Sequence, residues 1–250
     1  MKMEKNRKME LIVAGVFFVA AFVFFRFLYQ YHLYFVEQLQ IFLLTPAHFL
    51  SYFSKPALLS SYIGDFLTQF YYLSGGGPAV ISLTLILLWL LVRRLLNLLN
   101  GRDNGYLWPL IPSAFSWIAL CDPEFPLAGV IGLIIAIASF LVYISIERET
   151  IRKPAGILMI PVLYVAAGSG YLLFAALAAG YELATGRRKR ALLFAVIMVL
   201  VSVMVSLLMR QFYNITLLQS YAWIDEINRH VRFTNYLPLL SVPATGEDNS

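Results

Sequence analysis

The fold of this chain depends on one long apolar stretch, AGILMIPVLYVAAGSGYLLFAALAAGYEL, at residues 155–183. A helix that crosses the hydrocarbon core of a bilayer needs about 20 apolar residues, so this stretch is too long for one upright helix and short for two. Pro161 and the segment Gly168-Ser169-Gly170 interrupt it, and glycines favour turns. We therefore divide the stretch into two helices, at about 155–167 and 170–185.

The basic cluster Arg187-Arg188-Lys189-Arg190, which follows the stretch, supports this division. Lys and Arg in short loops face the cytoplasm. A single helix over 155–183 would place the cluster outside the cell in a very short loop, whereas two helices place it inside. We therefore predict a cytoplasmic N-terminus and a C-terminus outside, which leaves most of the 19 Lys and Arg on the cytoplasmic side.

Composition indicates the same class of protein. Hydrophobic residues make up 60% of the chain and charged residues 13%, against about 45–50% and about 25% in soluble domains, so the excess apolar surface must face lipid. The first apolar run follows four basic residues and continues past any cleavage site, which is typical of an uncleaved signal anchor. We predict an all-α, polytopic transmembrane helix bundle over residues 1–210, with spans at about 11–29, 79–99, 107–120, 126–146, 155–167, 170–185 and 191–209.

Several classes of partner and cofactor are not expected. The net charge of +5 comes from Lys and Arg at helix ends, where they set membrane orientation, so nucleic acid is not a predicted partner. Cys121 is the single cysteine and the three histidines lack the spacing of metal ligands, so no metal is expected. The aromatic side chains concentrate near predicted span boundaries, as in interfacial belts, and no cofactor is indicated.

Two regions are predicted outside the membrane: a loop at 30–77 and a C-terminal tail at 211–250. The loop contains two prolines beside capping residues, in Thr45-Pro46 and Ser54-Lys55-Pro56, and both pairs predict helix starts. Beyond them, apolar residues recur at helical spacing, which predicts an amphipathic helix that lies in the membrane interface or packs over the outer ends of the spans. The apolar positions are Leu58, Leu59, Tyr62, Ile63, Phe66, Leu67, Phe70 and Tyr71.

Four charged residues on the outer side are candidate site residues. Glu37 and Asp65 are carboxylates that could act as a general base on a lipid-linked substrate. Arg26 and Arg210 could hold the phosphate of that substrate through charge-assisted hydrogen bonds. The alternative is that both acids are solvated residues on helix faces and both arginines are interfacial anchors.

No ionisable residue is predicted at mid-membrane depth. Arg93, Arg94 and Glu182 lie near the ends of predicted spans, where long side chains reach the headgroups. Ion pathways and proton relays need buried charge, so a transporter ranks below the other hypotheses.

Three segments of the loop resemble an uncharacterised family of bacterial multi-pass inner-membrane proteins. They are Glu37 to Leu43, Phe49-Leu50-Ser51 and Tyr62 to Tyr72. The resemblance covers about residues 10–210, and longer members continue into a helical-repeat region outside the membrane. The family has no assigned activity, so the resemblance implies a location in the bacterial inner membrane and transfers no site residue. A second, architectural likeness is to polytopic glycosyltransferases that use lipid-linked sugars, whose first outer loop also holds an acid.

The leading hypothesis is a non-enzymatic envelope component that contacts a lipid or protein partner through its outer face. The alternative is a membrane enzyme that acts on a lipid-linked glycan or a phospholipid, with Glu37 or Asp65 as the base. A transporter is the third hypothesis.

Overall fold

The computed structural model describes residues 2–39, 42–100, 105, 107–122, 125–186 and 188–213. Every regular element in these ranges is helical, which confirms the predicted all-α fold. A π-helical turn, Phe24–Leu28, continues the first helix, and 3-10 turns follow the third and fourth helices at Tyr52–Ser54 and Gln69–Tyr72. The predicted tail lies outside the described residues from 214 onward. The α-helices are α1 (Lys2–Val23), α2 (Gln30–Leu39), α3 (Pro46–Ser51), α4 (Leu58–Thr68), α5 (Gly76–Asn100), α6 (Leu110–Leu120), α7 (Leu127–Ser145), α8 (Glu149–Ala167), α9 (Gly170–Thr185) and α10 (Arg188–Tyr213).

Within the described residues, five helical segments are long and apolar enough to cross a membrane. The apolar helices α6 and α9 are shorter. At about 1.5 Å per residue, α6 extends about 16 Å, roughly half of a hydrocarbon core about 30 Å thick. The seven-span arrangement therefore stays a prediction. The five segments are Lys8–Leu28, Gly76–Asn100, Leu127–Ser145, Glu149–Ala167 and Arg188–Tyr213.

The long apolar stretch breaks between α8 and α9 at Gly168, whose φ of 57° favours a residue without a Cβ atom. The prediction that Pro161 interrupts the apolar stretch is wrong, because this residue lies inside α8, as Pro154 does. Prolines are tolerated within membrane helices, where neighbouring groups satisfy the freed backbone carbonyls. The helix also begins earlier than expected, at Glu149, so the polar segment before residue 155 is helical.

Helix α7 is the centre of the bundle. It packs against α4, α5, α8 and α9, while α10 packs on α8 and α9, and α1 and α6 pack on α5. The order of neighbours is therefore α1, α5, α7, α9, α10. Buried aromatic side chains of α7 and α9, among them Phe140 and Phe174, fill the centre.

Helix α4 packs on the N-terminal end of α7 and on α8 through its small residues. Ser60, Gly64 and Thr68, one turn apart, are all buried. A Cβ atom on Gly64 would lie 2.8 Å from the Cα atom of Ala128, so the two backbones touch at this point. Small residues at this spacing allow helices to approach closely in membranes. The packed face of α4 is therefore opposite the apolar stripe that the sequence emphasises.

Of the two helix starts predicted in the loop, one is confirmed and the other is wrong. Thr45 caps α3 by accepting a hydrogen bond from the backbone N–H of His48 at 3.2 Å, and Pro46 occupies the first turn, as predicted. The start predicted at Ser54-Lys55-Pro56 is wrong, because α4 begins only after Ala57. Ala57 has a left-handed φ of 64°, and its N–H donates to the carbonyl oxygen of Tyr164 at 3.4 Å, which ties the start of α4 to α8.

Candidate functional site

Residues 42–73 pack on the bundle through α4, and we call them the outer layer because they belong to the loop predicted outside the membrane. A chain of three polar side chains lies in this layer. The hydroxyl of Tyr52 donates a hydrogen bond to Oδ2 of Asp65 at 2.7 Å. Nε2 of His48 lies 3.4 Å from the same hydroxyl oxygen. Because the single hydroxyl proton goes to Asp65, His48 can join the chain only by donating from Nε2–H. The chain therefore runs from His48 through Tyr52 to Asp65.

Aromatic rings surround this chain. Tyr52 is 3% exposed, and its ring stands edge-on to those of His48 and Tyr62. Phe42 meets His48 and Phe66 at a similar angle. Edge-to-face contacts of this kind are the favoured geometry of aromatic pairs. The ring contacts hold Tyr52 and His48 in position beside Asp65.

Burial, and then the neighbouring carboxylate of Asp65, raise the pKa of the Tyr52 phenol far above its ordinary value. The phenol therefore remains a donor at physiological pH. Asp65 itself is half-buried, and among the described residues only Oδ2 of its carboxylate accepts a hydrogen bond. Oδ1 is the carboxylate atom that a substrate could approach.

Of the four predicted site residues, the three with described side chains, Arg26, Asp65 and Arg210, lie on different elements and share no hydrogen bond or ion pair. Glu37 lies on α2, and its side chain is outside the described residues. Arg26 lies on the π-helical turn after α1, and its Nη2 donates to Oγ of Ser74 at 2.9 Å, which joins α1 to the start of α5. Arg210 is exposed in the last turn of α10, at the opposite end of the packing order from α1. Of these residues, only Asp65 is held in a polar cluster in the described part.

The outer layer exposes apolar side chains on the side that does not contact the bundle. The small residues of α4 are buried against α7 and α8, while part of the leucine and aromatic side chains of the layer remains exposed. Leu50 is 64% exposed and Phe53 is 51% exposed. Exposed apolar patches of this kind mark surfaces that meet lipid or another protein. The patch comprises Leu43, Leu44, Phe49, Leu50, Phe53, Leu59, Phe66, Phe70, Tyr72 and Leu73.

A second polar cluster joins α7, α8 and α9 at their other ends. Oε1 of Glu182 accepts hydrogen bonds from Nε of Arg152 at 2.8 Å and from Oη of Tyr143 at 3.0 Å. Nη2 of Arg152 lies 2.7 Å from the same oxygen and completes the ion pair. Lys153 lies 3.7 Å from Oε2 and also pairs with Glu149. Glu182 is 1% exposed, so the expectation that it reaches the headgroups is wrong. The sequence feature that could have indicated the burial of Glu182 is its position within the apolar run, before Leu183 and Ala184.

An ion pair between α1 and α5 was also missed. Nη1 of Arg93 lies 2.5 Å from Oε1 of Glu10, and the Arg93 side chain is 8% exposed. Its guanidinium carbon lies 5.7 Å from the centre of the Trp89 ring. Arg93 therefore does not extend to the membrane surface as expected. Glu10 and Arg93 are far apart in the chain, so no local sequence pattern predicts their pairing.

The described residues contain no group of three His, Cys, Asp or Glu side chains that could hold a metal ion.

Cys121, the free cysteine, lies at the end of α6, and burial raises the pKa of its thiol. Its carbonyl oxygen accepts a hydrogen bond from the Tyr29 hydroxyl at 2.8 Å, which fixes the end of α6 beside the end of α1.

The long apolar helices are joined by buried polar clusters, and the outer layer packs over one end of them. These features define a helical membrane protein with several transmembrane segments. Within that class, the chain belongs to the family described as "Family of unknown function (DUF6057)", whose model matches residues 5–245. The resemblance to an uncharacterised family is thereby confirmed, and the match extends past the membrane part into the tail. No curated protein and no solved structure matches the chain.

Proposed function

We propose that the protein is a non-enzymatic, multi-pass component of the bacterial inner membrane that contacts lipid through its outer layer. The observation that carries this proposal is the exposed apolar patch of the outer layer, to which α4 contributes Leu59 and Phe66 while it buries its small residues. Short helices with leucine and aromatic side chains on one face lie in the membrane interface. Lys55, whose ammonium lies 4.6 Å from the centre of the Tyr52 ring, supplies a cation that suits the headgroup region.

The proposed orientation has the N-terminus in the cytoplasm and the C-terminus outside. The contacts of α4 with Ala128 and Tyr164 support it, because they assign the start of α7 and the end of α8 to the side of the outer layer. The opposite ends carry Arg152, Lys153 and the basic residues 188–190. By the positive-inside rule, those ends face the cytoplasm.

Spin labels at Leu50 and Phe53 test the lipid contact. Each label is attached to a single cysteine introduced on a Cys121→Ser background, in protein reconstituted into vesicles. Exposed Leu200 on α10 is the lipid-facing control, and exposed Thr185 at the end of α9 is the aqueous control. We expect the labels at 50 and 53 to behave like the one at 200, relaxed more strongly by oxygen than by a water-soluble nickel chelate.

If the labels at 50 and 53 behave like the one at 185, the patch faces water. That result contradicts lipid contact and leaves a protein partner as the alternative for the same surface.

A second candidate function is a membrane enzyme that acts on a lipid-linked glycan or a phospholipid. The hydrogen-bonded chain of His48, Tyr52 and Asp65 favours it, because a chain of this kind can orient a general base. In this proposal Asp65 accepts a proton through Oδ1, and Tyr52 positions its carboxylate.

Cellular lipid profiles test the enzyme proposal. The substitution Asp65→Asn should cause the substrate lipid to accumulate, and Tyr52→Phe should do so more weakly because it leaves the carboxylate in place. Glu37→Gln serves as the second acid variant. Unchanged glycolipids and phospholipids in both acid variants, with normal amounts of protein, would remove this candidate.

A further inference from the structure

Two consecutive arginines lie within an apolar part of α5. The helix continues beyond Arg93 and Arg94 to Asn100 through Leu95, Leu96, Leu98 and Leu99. Arg94 is exposed, and so are Leu90 and Leu98, one turn before it and one turn after it. An exposed arginine between exposed leucines on a membrane helix is stabilised by an anion within reach of its guanidinium group.

The two arginines differ in how their charge is balanced. Arg93 is buried and pairs with Glu10 of α1. Among the described residues, no carboxylate pairs with Arg94. The charge of Arg94 is therefore the one left for a ligand.

An open cavity of about 330 Å³ lies at this position, between α1 and α5. Its volume is at the lower end of the range of small-molecule sites, about 300–1,000 Å³. Two guanidinium groups and one carboxylate give its lining a net positive charge, and two leucines give it apolar walls. The lining residues are Glu10, Leu90, Arg93, Arg94, Asn97 and Leu98.

We propose that this cavity binds the phosphate group of an anionic phospholipid. The planar guanidinium of Arg94 matches a phosphate in two parallel hydrogen bonds. Leu90, on the side of the membrane centre, contacts the acyl chains. Basic pockets between membrane helices bind lipid headgroups in this way. The site lies on α1 and α5 and does not depend on the proposed role of the outer layer.

Substitutions of the positive and the negative side chain of the cavity should have opposite effects on lipid retention. Arg94→Gln removes the cation that faces the phosphate, whereas Glu10→Gln removes the carboxylate that repels it. We therefore expect the first substitution to weaken retention of anionic lipid and the second to strengthen it. A purely structural role for the pair of Glu10 and Arg93 predicts lower thermal stability of Glu10→Gln with no gain in lipid.

Native mass spectrometry of the full chain tests the proposal. The protein is purified in detergent with equal amounts of phosphatidylglycerol and phosphatidylcholine, and bound lipids are counted. Arg148→Gln, at an exposed arginine outside the cavity, is the matched control. We expect the wild type and Arg148→Gln to prefer phosphatidylglycerol, and Arg94→Gln to lose about tenfold in that preference, the loss of one charge-assisted interaction.

Equal retention of the two lipids by the wild type, or an unchanged preference in Arg94→Gln, would overturn the proposal. Because Arg94 is exposed, its variant folds even if Glu10→Gln does not, and it decides the outcome alone. Competition by inorganic phosphate identifies the source of the anion. Loss of phosphatidylglycerol at millimolar phosphate assigns the site to the phosphate group alone, whereas no loss assigns it to the intact lipid.

Discussion

Glu182 holds three helices together through one carboxylate. Its Oε1 accepts hydrogen bonds from Arg152 of α8 and Tyr143 of α7 and pairs with the Arg152 charge, while its own helix is α9. Moving the ion pair of Glu182 and Arg152 out of water is costly. The cost is offset only when the geometry is good and the remaining lone pairs are satisfied. The ring of Tyr143 reaches this position because Gly156 leaves space: a Cβ atom there would lie 2.7 Å from Cε2 of the ring.

Removing one partner of this pair should destabilise the protein strongly. We expect Glu182→Leu, which leaves the Arg152 charge buried and unpaired, to cost about 3–5 kcal/mol of unfolding free energy. The double variant Glu182→Leu, Arg152→Leu should recover much of that loss because no buried charge remains. Thermal unfolding in detergent measures all three proteins, with Glu147→Gln on the exposed α7–α8 connection as the control. A double variant as unstable as Glu182→Leu alone would contradict this account.

The Tyr52 phenol should make stability depend on pH in the alkaline range. Its folded-state pKa is raised above the ordinary value of 10.0, so folding favours the protonated form. This contribution is complete below about pH 10 and is lost as the pH rises from there toward the folded-state pKa. Tyr52→Phe should lose less stability than the wild type in melting experiments between pH 9 and 11. Parallel pH profiles for the two proteins would show that the phenol is not the group responsible.

At the scale of elements, α4 illustrates why an amphipathic pattern does not identify the packed face of a membrane helix. In water, the leucine and aromatic stripe would be buried, since apolar burial drives packing. Next to lipid this driving force is absent, and helices pack through small residues that allow close backbone contact. Ser60, Gly64 and Thr68 carried that signal in the sequence, and they are the face that α4 buries.

A side chain at position 64 should separate α4 from α7. In Gly64→Ala, the new Cβ atom would lie 2.8 Å from the backbone of Ala128, so the helices must move apart. We expect a loss of about 1–3 kcal/mol in thermal unfolding, as for other overpacked sites. Gly15→Ala and Gly180→Ala are matched controls, because a Cβ atom at either position meets nothing within 4 Å. These controls should be neutral or slightly stabilising, since alanine favours helices. Equal effects at all three positions would refute close packing at Gly64.

At the scale of the whole molecule, the packing order gives a consistent direction to each helix. The starts of α7 and α9 and the ends of α8 and α10 share one side, since α8, α9 and α10 follow one another as antiparallel neighbours. The outer layer rests on this same side through Ala128 and Tyr164.

Labelling of intact cells should separate the two sides. On the Cys121→Ser background, single cysteines at exposed Ser54 and Gln211 should react with a membrane-impermeant thiol reagent. A cysteine at exposed Thr185 should react only after the cells are permeabilised. Labelling at 185 before permeabilisation, with 211 protected, would reverse the orientation of α9 and α10 and move Arg210 to the cytoplasmic side.

Composition and the length of the apolar runs were sufficient to predict a helical membrane protein, because lipid selects apolar residues and about 20 of them per crossing. The glycines around residue 168 also predicted where α8 ends, since chain geometry at a turn is local. The partners of Glu182, Arg93 and Asp65 were not predictable in this way. Each is paired with a residue on another element, and Glu10 and Arg93, or Arg152 and Glu182, meet only after their helices pack. Local composition therefore determined the class and the helices, whereas helix packing alone decided which charges are buried, which face of α4 is hidden and which of the two arginines of α5 pairs with Glu10.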